Sequence, residues 1–332
     1  MTATNSTATN STATNSTATN SAATNSAATN SAATNSAATN STASTTPAAA
    51  AGFHLLGGDL RVARVGFGAM RLPGRSWTGP AGDRDTALAV LARAVELGVN
   101  HIDTADFYFC EQLFANDLIR EALHPYADDL VIATKVGPAR GPDGNWQREA
   151  SAAELPAQVE RNLDQLGLDR LDLVYLRVGG LEFSDESLAE RFEVLAGLRE
   201  QGLIRHLGVS NVNPAQFAEA QRIAPVAAVQ NYFNLAHRDH PELVAACAEQ
   251  GIAYVPFFPL GGHELINDPR VVAVADRHGA SVAQIALAWL LDQTPTTLAI
   301  PGTAAPDHLA ENVAAAGIVL TERDRAELAP LG

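Results

Sequence analysis

Residues 129–137 read "DLVIATKVG", residues 154–168 read "ELPAQVERNLDQLGL" and residues 171–178 read "LDLVYLRV". The first and third segments are short, continuous apolar runs, which are typical of strands buried on both faces of a parallel sheet. The second segment repeats leucine and valine at helical spacing, which predicts one apolar helix face. This part of the chain is therefore predicted to be a strand, a helix and a second strand parallel to the first.

The same alternation continues in both directions along the chain. Strand-like "LRVARVGFGAM" at residues 60–70 precedes helix-like "TALAVLARAVELG" at residues 86–98, and strand-like "IRHLGVSN" follows at residues 204–211. We count eight such strand–helix repeats, and eight repeats in ~280 residues suit an α/β fold of the (β/α)8 TIM-barrel type. A doubly wound sheet is the alternative, but the Gly-x-Gly-x-x-Gly phosphate turn is absent after the first strand.

Residues 1–51 differ in composition from the rest of the chain. Residues 2–41 are eight copies of a five-residue unit, first TATNS and then AATNS, and none of the first fifty residues is charged. Such a segment cannot bury enough apolar area to offset the entropy of ordering it, so residues 1–51 are predicted to be a disordered low-complexity tail. Residues 52–332 are predicted to form the barrel, beginning with a β-hairpin that turns at Gly57 and Gly58.

Charge and cysteine content restrict the partners and the compartment. The formal net charge is −15, which disfavours nucleic acid and anionic membranes as partners. No apolar run reaches the length of a membrane span. Cys110 and Cys247 give neither a disulfide framework nor the spacing of metal ligands, so no metal site is predicted and the expected compartment is a reducing cytoplasm.

Polar residues at strand ends are the candidates for chemistry, because barrels of this type carry their active sites at the carboxyl ends of the strands. The stretch "HIDTADFYF" places Asp103, Asp106 and Tyr108 after a short strand. Lys135 follows the apolar run "LVIAT" and is the only lysine among 22 basic residues. Lysine, unlike arginine, shifts its pKa readily when it is buried, so Lys135 is predicted to belong to a proton-transfer site. Asp106 is interpreted as a solvated loop residue.

Six motifs resemble those of the aldo-keto reductase superfamily and follow in the same order: "HIDTADFY", "VIATKVG", "GVSN", "VQNYFNL", "VPFFPLGG" and "IPGTAAPDHLAEN". The resemblance covers essentially all of residues 52–332. It implies an NADPH-dependent oxidoreductase that reduces an aldehyde or ketone, acting on a small-molecule carbonyl substrate, with a monomer favoured. Tyr108 would be the general acid, Lys135 would lower its pKa, and Asp103 would pair with Lys135.

The chain departs from the family pattern at the end of the fourth barrel strand. The family usually has a histidine there that hydrogen-bonds the substrate carbonyl, whereas this chain has Arg177. Arginine is a strong donor that can polarise a carbonyl, but it cannot pass a proton at neutral pH. Two alternatives therefore stay open: a redox-neutral enzyme of elimination or isomerisation on the same scaffold, and a non-catalytic nicotinamide-binding protein.

A second departure follows Tyr108, where "FCEQLFANDLI" is longer and more apolar than the corresponding family segment. Two interpretations remain open for it. It lines a hydrophobic substrate pocket, or it forms the bulky first turn of the second helix. For the pocket the predicted wall residues are Phe109, Cys110, Phe114 and Trp146.

The resemblance also implies a set of cofactor contacts. Ser210, Asn211 and Gln230 match residues that hold the nicotinamide carboxamide, and Phe233 matches an aromatic that stacks on its ring. Ordinary capping between strand and loop is the alternative role for these polar side chains.

The adenosine end of the cofactor would lie near the last motif. Many relatives carry lysine and arginine where this chain has Gly302 and His308, so the preference for a 2′-phosphate is weaker here. The resemblance favours NADPH, and NADH stays open. Thr303 begins a loop into a helix, where backbone N–H groups can take a phosphate. The other matched positions are Gly68, Met70, Phe257, Pro259, Leu260, Gly262, Glu311 and Asn312.

Overall fold

The structure, a computed structural model, describes residues 46–261 and 267–331. Its first element is a 3-10 helix, Pro47–Ala51, which lies within the segment predicted to be a disordered tail. The Ala48 side chain is fully buried, and its backbone N–H donates to the carbonyl of Leu97 at 3.0 Å. The prediction of disorder is therefore wrong for these last residues of the tail, because a small apolar side chain finds a packing partner. Residues 1–45 lie outside the described residues.

The strands form one curled parallel sheet and two short antiparallel hairpins. Buried apolar residues dominate the longer strands, as expected for a sheet covered on both faces. In chain order the strands are β1 (Phe53–Leu56), β2 (Leu60–Ala63), β3 (Phe67–Gly68), β4 (His101–Asp103), β5 (Phe109–Cys110), β6 (Leu113–Phe114), β7 (Val131–Val136), β8 (Leu171–Arg177), β9 (Ile204–Ser210), β10 (Val226–Gln230) and β11 (Ala253–Tyr254).

The parallel sheet has the order β11-β10-β9-β8-β7-β4-β3, and a short extended segment joins its two edges. Thr297 forms a parallel bridge with Tyr254 of β11, and Ala299 forms one with Val65, just before β3. The Ala299 N–H donates to the Arg64 carbonyl at 2.8 Å, and the Leu298 N–H donates to the Tyr254 carbonyl at 2.8 Å. The predicted barrel is thus confirmed, with bridges at residues 297–299 in place of a full eighth strand.

Helices follow the sheet strands and cover the outside of the barrel. The first begins after Asp83, whose carboxylate accepts the Thr86 N–H at 2.7 Å. The predicted apolar face of the third buries Leu155 and Val159, and that helix ends at Gly167, which has a φ of +67°. The helices are α1 (Arg84–Glu96), α2 (Ala115–Leu123), α3 (Leu155–Leu166), α4 (Ala189–Glu200), α5 (Pro214–Ile223), α6 (Pro241–Glu249), α7 (Pro269–His278), α8 (Val282–Asp292), α9 (Pro306–Ala314) and α10 (Glu322–Leu328).

One of the two hairpins was predicted and the other was not. Strands β1 and β2 pair antiparallel around Gly57 and Gly58, whose φ values are +64° and +88°. Strands β5 and β6 form a second, shorter hairpin in the apolar segment after Tyr108, with Glu111 at a φ of +52°. No helix within the described ranges is both long enough and apolar enough to cross a membrane.

Candidate active site

Asp103 and Lys135 form a buried ion pair inside the barrel. Asp103 ends β4, Lys135 lies near the end of β7, and these two strands are neighbours in the sheet. The Lys135 Nζ lies 2.5 Å from Asp103 Oδ1 and also donates to the Thr104 carbonyl at 3.0 Å. Only 3% of Asp103 and 1% of Lys135 is exposed, so each charge depends on the other for compensation.

Tyr108 lies beside this pair, in the loop between β4 and β5. The Lys135 Nζ is 4.9 Å from the centroid of the Tyr108 ring, and only 8% of Tyr108 is exposed. Burial raises the pKa of Tyr108, and the positive charges of Lys135 and Arg177 oppose that shift. The expected lowering of the Tyr108 pKa by Lys135 therefore operates but is outweighed by burial. Tyr108 is a neutral phenol at physiological pH, which is the form that a proton donor must have.

Gln230 connects the ion pair to the neighbouring strand β10. Its Nε2 donates to Asp103 Oδ2 at 2.8 Å, so both carboxylate oxygens of Asp103 are engaged. Its Oε1 is buried with no hydrogen-bond partner, and so is Oδ1 of Asn211. Unpartnered buried carbonyl oxygens are costly, and a ligand amide N–H group would satisfy them. These two residues therefore fit the carboxamide of a nicotinamide.

Arg177 ends β8 and lies on the rim of the cavity. Its Nη2 donates to the Gly180 carbonyl at 2.6 Å, and its guanidinium carbon lies 4.5 Å from the centroid of the Phe257 ring. Its Nη1 is 3.4 Å from Ser210 Oγ, a long hydrogen bond. Burial lowers the pKa of Arg177, although Tyr108 and Glu149 oppose the shift, and a guanidinium remains charged in any case. With five N–H donors and few partners, Arg177 can donate to an oxygen in the cavity.

Asp106 was interpreted as a solvated loop residue, and that interpretation is wrong. Asp106 is only 8% exposed, and its Oδ2 pairs with Nε of Arg161 on α3 at 2.9 Å. Its Oδ1 is buried without a partner. Burial raises the pKa of Asp106 to about 6, and Arg161 opposes the shift. The loop after β4 folds back toward α3, so a polar residue in it loses contact with water.

One cavity of about 690 Å³ opens at the carboxyl ends of the strands, a volume typical of small-molecule sites. Asp103, Tyr108 and Arg177 all line it, together with Glu149. The aromatic residues in its wall are Trp77, Phe107, Tyr108, Trp146, Tyr232, Phe257 and Phe258. No group of three or more metal-binding side chains occurs in the part of the chain that the structure describes.

The predicted substrate-wall residues divide into two groups. Trp146 lines the cavity, whereas Phe109, Cys110 and Phe114 do not. The rings of Phe109 and Phe114 stack on each other across the β5–β6 hairpin at 4.9 Å between centroids. Cys110 is buried, with its Sγ 2.8 Å from the Ser76 carbonyl. The hairpin turns these side chains toward each other and toward residue 76, so Phe109, Cys110 and Phe114 are not cavity wall. The rest of the segment, from Ala115 onward, is the first turn of α2.

The predicted nicotinamide residues also divide. Gln230 lines the cavity, and Ser210 and Asn211 are fully buried next to it. The Ser210 hydroxyl lies near Arg177. The Asn211 Nδ2 donates to the Val178 carbonyl at 2.9 Å. Phe233 lies outside the cavity wall and packs on Trp289 at 5.8 Å between ring centroids. The residue before it, Tyr232, lines the cavity instead and stacks on Phe257 at 5.6 Å. The sequence shows two adjacent aromatics here, and only the turn after β10 decides which one faces the cavity.

The remaining predicted cofactor residues lie around the opening and beyond it. Thr303 accepts the Ala305 N–H at 3.0 Å and closes the turn that leads into α9. His308, Glu311 and Asn312 lie on α9 and do not line the cavity, and Gly262 lies outside the described residues. The predicted positions on the cavity wall are Gly68, Met70, Phe257, Pro259, Leu260 and Gly302.

The residues that sequence reasoning missed include Trp77, Phe107, Glu149 and Phe258. All four come from irregular segments between strands and helices, where periodicity carries no information about side-chain direction. Phe258 is marked by a φ of +53°, a strained conformation for a bulky residue. Trp77 had one available signal, because it is one of only three tryptophans in the chain.

A buried ion pair, a neutral phenol and a cavity at the carboxyl end of a barrel define an enzyme site suited to proton transfer. The family model of the aldo/keto reductase family matches residues 64–331. The chain therefore belongs to the aldo/keto reductase family, and it is an oxidoreductase of that family. This confirms the family and the enzyme class predicted from the sequence motifs.

Similar proteins with known sequences include two oxidoreductases. Pyridoxine 4-dehydrogenase of Escherichia coli (strain K12) is 48% identical over 268 residues, which cover 80% of this chain and 93% of that protein. An uncharacterized oxidoreductase of Schizosaccharomyces pombe is 39% identical over 273 residues, which cover 82% of this chain and 87% of that protein.

Similar solved structures are also aldo-keto reductases. One is an aldo/keto reductase from Klebsiella pneumoniae in complex with NADP and acetate, with a TM-score of 0.70 and 26% identity, covering 84% of this chain and 94% of that one. Another is a thermostable aldo-keto reductase in complex with the inhibitor epalrestat, with a TM-score of 0.71 and 30% identity, covering 84% of this chain and 99% of that one.

Proposed function

We propose that the protein is an NADPH-dependent reductase of aldehydes or ketones in which Tyr108 donates the proton to the carbonyl oxygen. The observation that carries this proposal is the buried Asp103–Lys135 pair, whose ammonium lies 4.9 Å from the Tyr108 ring centroid on the cavity wall. As Tyr108 loses its proton, the Lys135 charge stabilises the phenolate that forms. When bound, the nicotinamide supplies the hydride that adds to the carbonyl carbon.

In this proposal Arg177 takes the place of the usual family histidine. Its guanidinium is held by the Gly180 carbonyl and the Phe257 ring, so it is oriented before the substrate arrives. It donates hydrogen bonds to the carbonyl oxygen and stabilises the negative charge that grows there during reduction. The proton itself comes from Tyr108, because Arg177 stays charged.

We further propose pyridoxal as the substrate, reduced to pyridoxine, with the reverse oxidation catalysed at the same site. The support is the 48% identity to pyridoxine 4-dehydrogenase over most of both chains. The cavity wall is rich in aromatic side chains, which stack on a flat pyridine ring. Pyridoxal also carries a ring hydroxyl next to its aldehyde, so two neighbouring oxygens face a forked donor such as Arg177.

NADPH is the proposed cofactor. The unpartnered buried oxygens of Gln230 and Asn211 support binding of a nicotinamide carboxamide. Related structures contain NADP in one case and NADPH in another, which supports the phosphorylated form. Titrating NADPH and NADH separately into the protein, and following nicotinamide fluorescence, compares the two dissociation constants directly. Tighter binding of NADH would overturn this preference.

The proposed reaction is tested by mixing the protein with NADPH and pyridoxal and measuring NADPH loss and pyridoxine formation together. Equal amounts of NADPH consumed and pyridoxine formed are expected. With Tyr108→Phe, turnover is expected to fall by about 10²-fold or more while NADPH binding stays unchanged, because only the donated proton is lost. If the protein reduces other aldehydes but not pyridoxal, pyridoxal is rejected as the substrate, while the proposal of an aldehyde or ketone reductase stands.

Two other outcomes would overturn the proposed class. NADPH binding with no consumption against any aldehyde or ketone would support a non-catalytic nicotinamide-binding protein. Conversion of a substrate without NADPH consumption would support redox-neutral chemistry. The replacement of the usual histidine by Arg177 favours this alternative.

A further inference from the structure

Arg140 lies behind the cavity wall, and within the described residues its guanidinium donates only to backbone carbonyls. Its Nη1 donates to the carbonyls of Phe107 and Phe109 at 3.0 and 2.8 Å, and its Nη2 donates to that of Trp77 at 2.6 Å. Its Nε donates to the Gly144 carbonyl at 3.0 Å. One guanidinium therefore connects three segments that are far apart in sequence: the loop before α1, the loop after β4 and the loop after β7.

The same guanidinium lies over aromatic rings from all three segments. Its central carbon is 4.8 Å from the Trp77 ring centroid, 4.1 Å from that of Phe109 and 5.5 Å from that of Trp146. A planar guanidinium can stack on aromatic faces and donate in its plane at the same time, whereas a lysine ammonium cannot. Arg140 is absent from the ion pairs of the described residues, so these carbonyls and rings are its partners.

The three segments meet at the aromatic side of the cavity. The rings of Trp77 and Trp146 pack edge to face at 5.1 Å, and Phe107 packs on Trp146 at 5.9 Å. Trp77 is also 6.0 Å from Tyr108, the proposed proton donor. Gly144 approaches closely, because a Cβ there would lie 2.7 Å from the Trp77 carbonyl. The aromatic rings are thus held next to the reacting group.

We propose that Arg140 assembles Trp77, Phe107 and Trp146 into a preformed aromatic clamp that selects flat aromatic carbonyl substrates over small aliphatic ones. This inference rests on the proposed reductase function and adds the residue that makes the site select a flat ring. Arg140 is a positioning residue, because it holds loops through their carbonyls and does not itself line the cavity. A clamp that is rigid before binding loses less conformational entropy when a flat ring enters.

The kinetic test compares benzaldehyde with propanal in the wild type, Arg140→Met and Arg140→Lys. For Arg140→Met, kcat/KM for benzaldehyde is expected to fall about tenfold more than kcat/KM for propanal, because the rings that hold a flat substrate lose their fixed positions. Arg140→Lys is expected to rescue little, since an ammonium cannot reach carbonyls on three segments at once. Arg148→Lys is the matched control, because Arg148 is exposed and pairs with Glu154 in the same loop.

A second readout does not depend on turnover. Near-ultraviolet circular dichroism of the free protein reports the Trp77–Trp146 pair, and its tryptophan signal is expected to weaken in Arg140→Met and persist in Arg148→Lys. Benzyl alcohol, which lacks a carbonyl, is titrated as a non-reducible aromatic probe by tryptophan quenching. Unchanged selectivity, circular dichroism and benzyl alcohol binding in Arg140→Met would overturn the clamp. If the wild type reduces neither of these aldehydes nor pyridoxal but the spectroscopic differences appear, the reductase proposal fails and the clamp remains.

Discussion

The Lys135 ammonium lies 2.5 Å from the Asp103 carboxylate in a part of the barrel from which water is almost excluded. Removing one partner of such a pair leaves an uncompensated buried charge, whereas removing both charges does not. The ion pair therefore has separable contributions to stability and to chemistry, and the two can be measured independently.

Lys135→Met is expected to lower the free energy of unfolding by about 3–5 kcal/mol, because Asp103 becomes an unpaired buried carboxylate. The double variant Lys135→Met/Asp103→Asn is expected to recover part of that stability but none of the reductase activity. Urea unfolding and steady-state kinetics measure the two effects. A double variant that regains turnover would show that the Lys135 charge is not needed for proton transfer.

Arg177→Met is expected to reduce kcat/KM for the carbonyl substrate by about 10²–10³-fold, because a donor to the developing oxyanion is lost. Arg177→Lys keeps a positive charge without the planar fork and is expected to recover only part of the rate. The dissociation constant of NADPH, followed by fluorescence, is expected to stay unchanged in both variants. Full activity in Arg177→Met would mean that another group polarises the carbonyl.

Asp106 is expected to make stability depend on pH. Burial raises its pKa from 3.8 in the unfolded chain to about 6 in the folded protein, so the folded state binds the proton more tightly. The stabilisation is complete below pH 4 and is lost as the pH rises through about 6, with an upper limit of about 3 kcal/mol. Asp106→Asn removes this titration.

Raising the pH from about 4 to about 6 should lower the unfolding free energy of the wild type but not that contribution in Asp106→Asn. The unfolding free energy of the variant minus that of the wild type should therefore increase over this pH range. Urea unfolding at a series of pH values measures this difference. A difference that is constant with pH would contradict the raised pKa of Asp106.

Gly208→Ala is expected to destabilise the barrel interior by about 1–3 kcal/mol through overpacking. A Cβ at Gly208 would lie 2.5 Å from a ring carbon of Tyr175, which is fully buried on β8. Gly197→Ala in α4 is the matched control, because a Cβ there meets no atom within 4 Å. The control is expected to raise Tm slightly, since alanine favours helix. Thermal unfolding compares the two, and equal Tm changes would contradict the crowding at Gly208.

The fold was predictable because burial imposes a period on the sequence. Strands such as β7 and β8 are continuous apolar runs, and α3 buries leucine and valine at helical spacing. Asp103 and Lys135 were predictable for a different reason, because parallel strands end at one edge of the barrel and bring their terminal polar residues together. The shortness of the eighth strand was not predictable from the sequence. Residues 297–299 form only isolated bridges, but their sequence has the same apolar pattern as a full strand.

The direction of loop side chains was not predictable from the sequence. Tyr232 and Phe233 are adjacent aromatics, yet only Tyr232 lines the cavity, and Asp106 is buried against Arg161 although it lies in a loop. Phe109 and Cys110 face away from the cavity because an unpredicted hairpin turns them. A loop has no regular repeat of buried and exposed positions, so contacts with distant segments decide which way each side chain points.

The burial pattern of the sequence predicted the barrel and placed Asp103 and Lys135 at strand ends, while the resemblance of the motifs indicated the family and the role expected of Tyr108. The tertiary structure decided how the cavity is walled. Arg140 joins three loops that are separated by up to 63 residues in the chain. Such long-range hydrogen bonds to backbone carbonyls leave no trace in local composition, since any residue supplies a carbonyl.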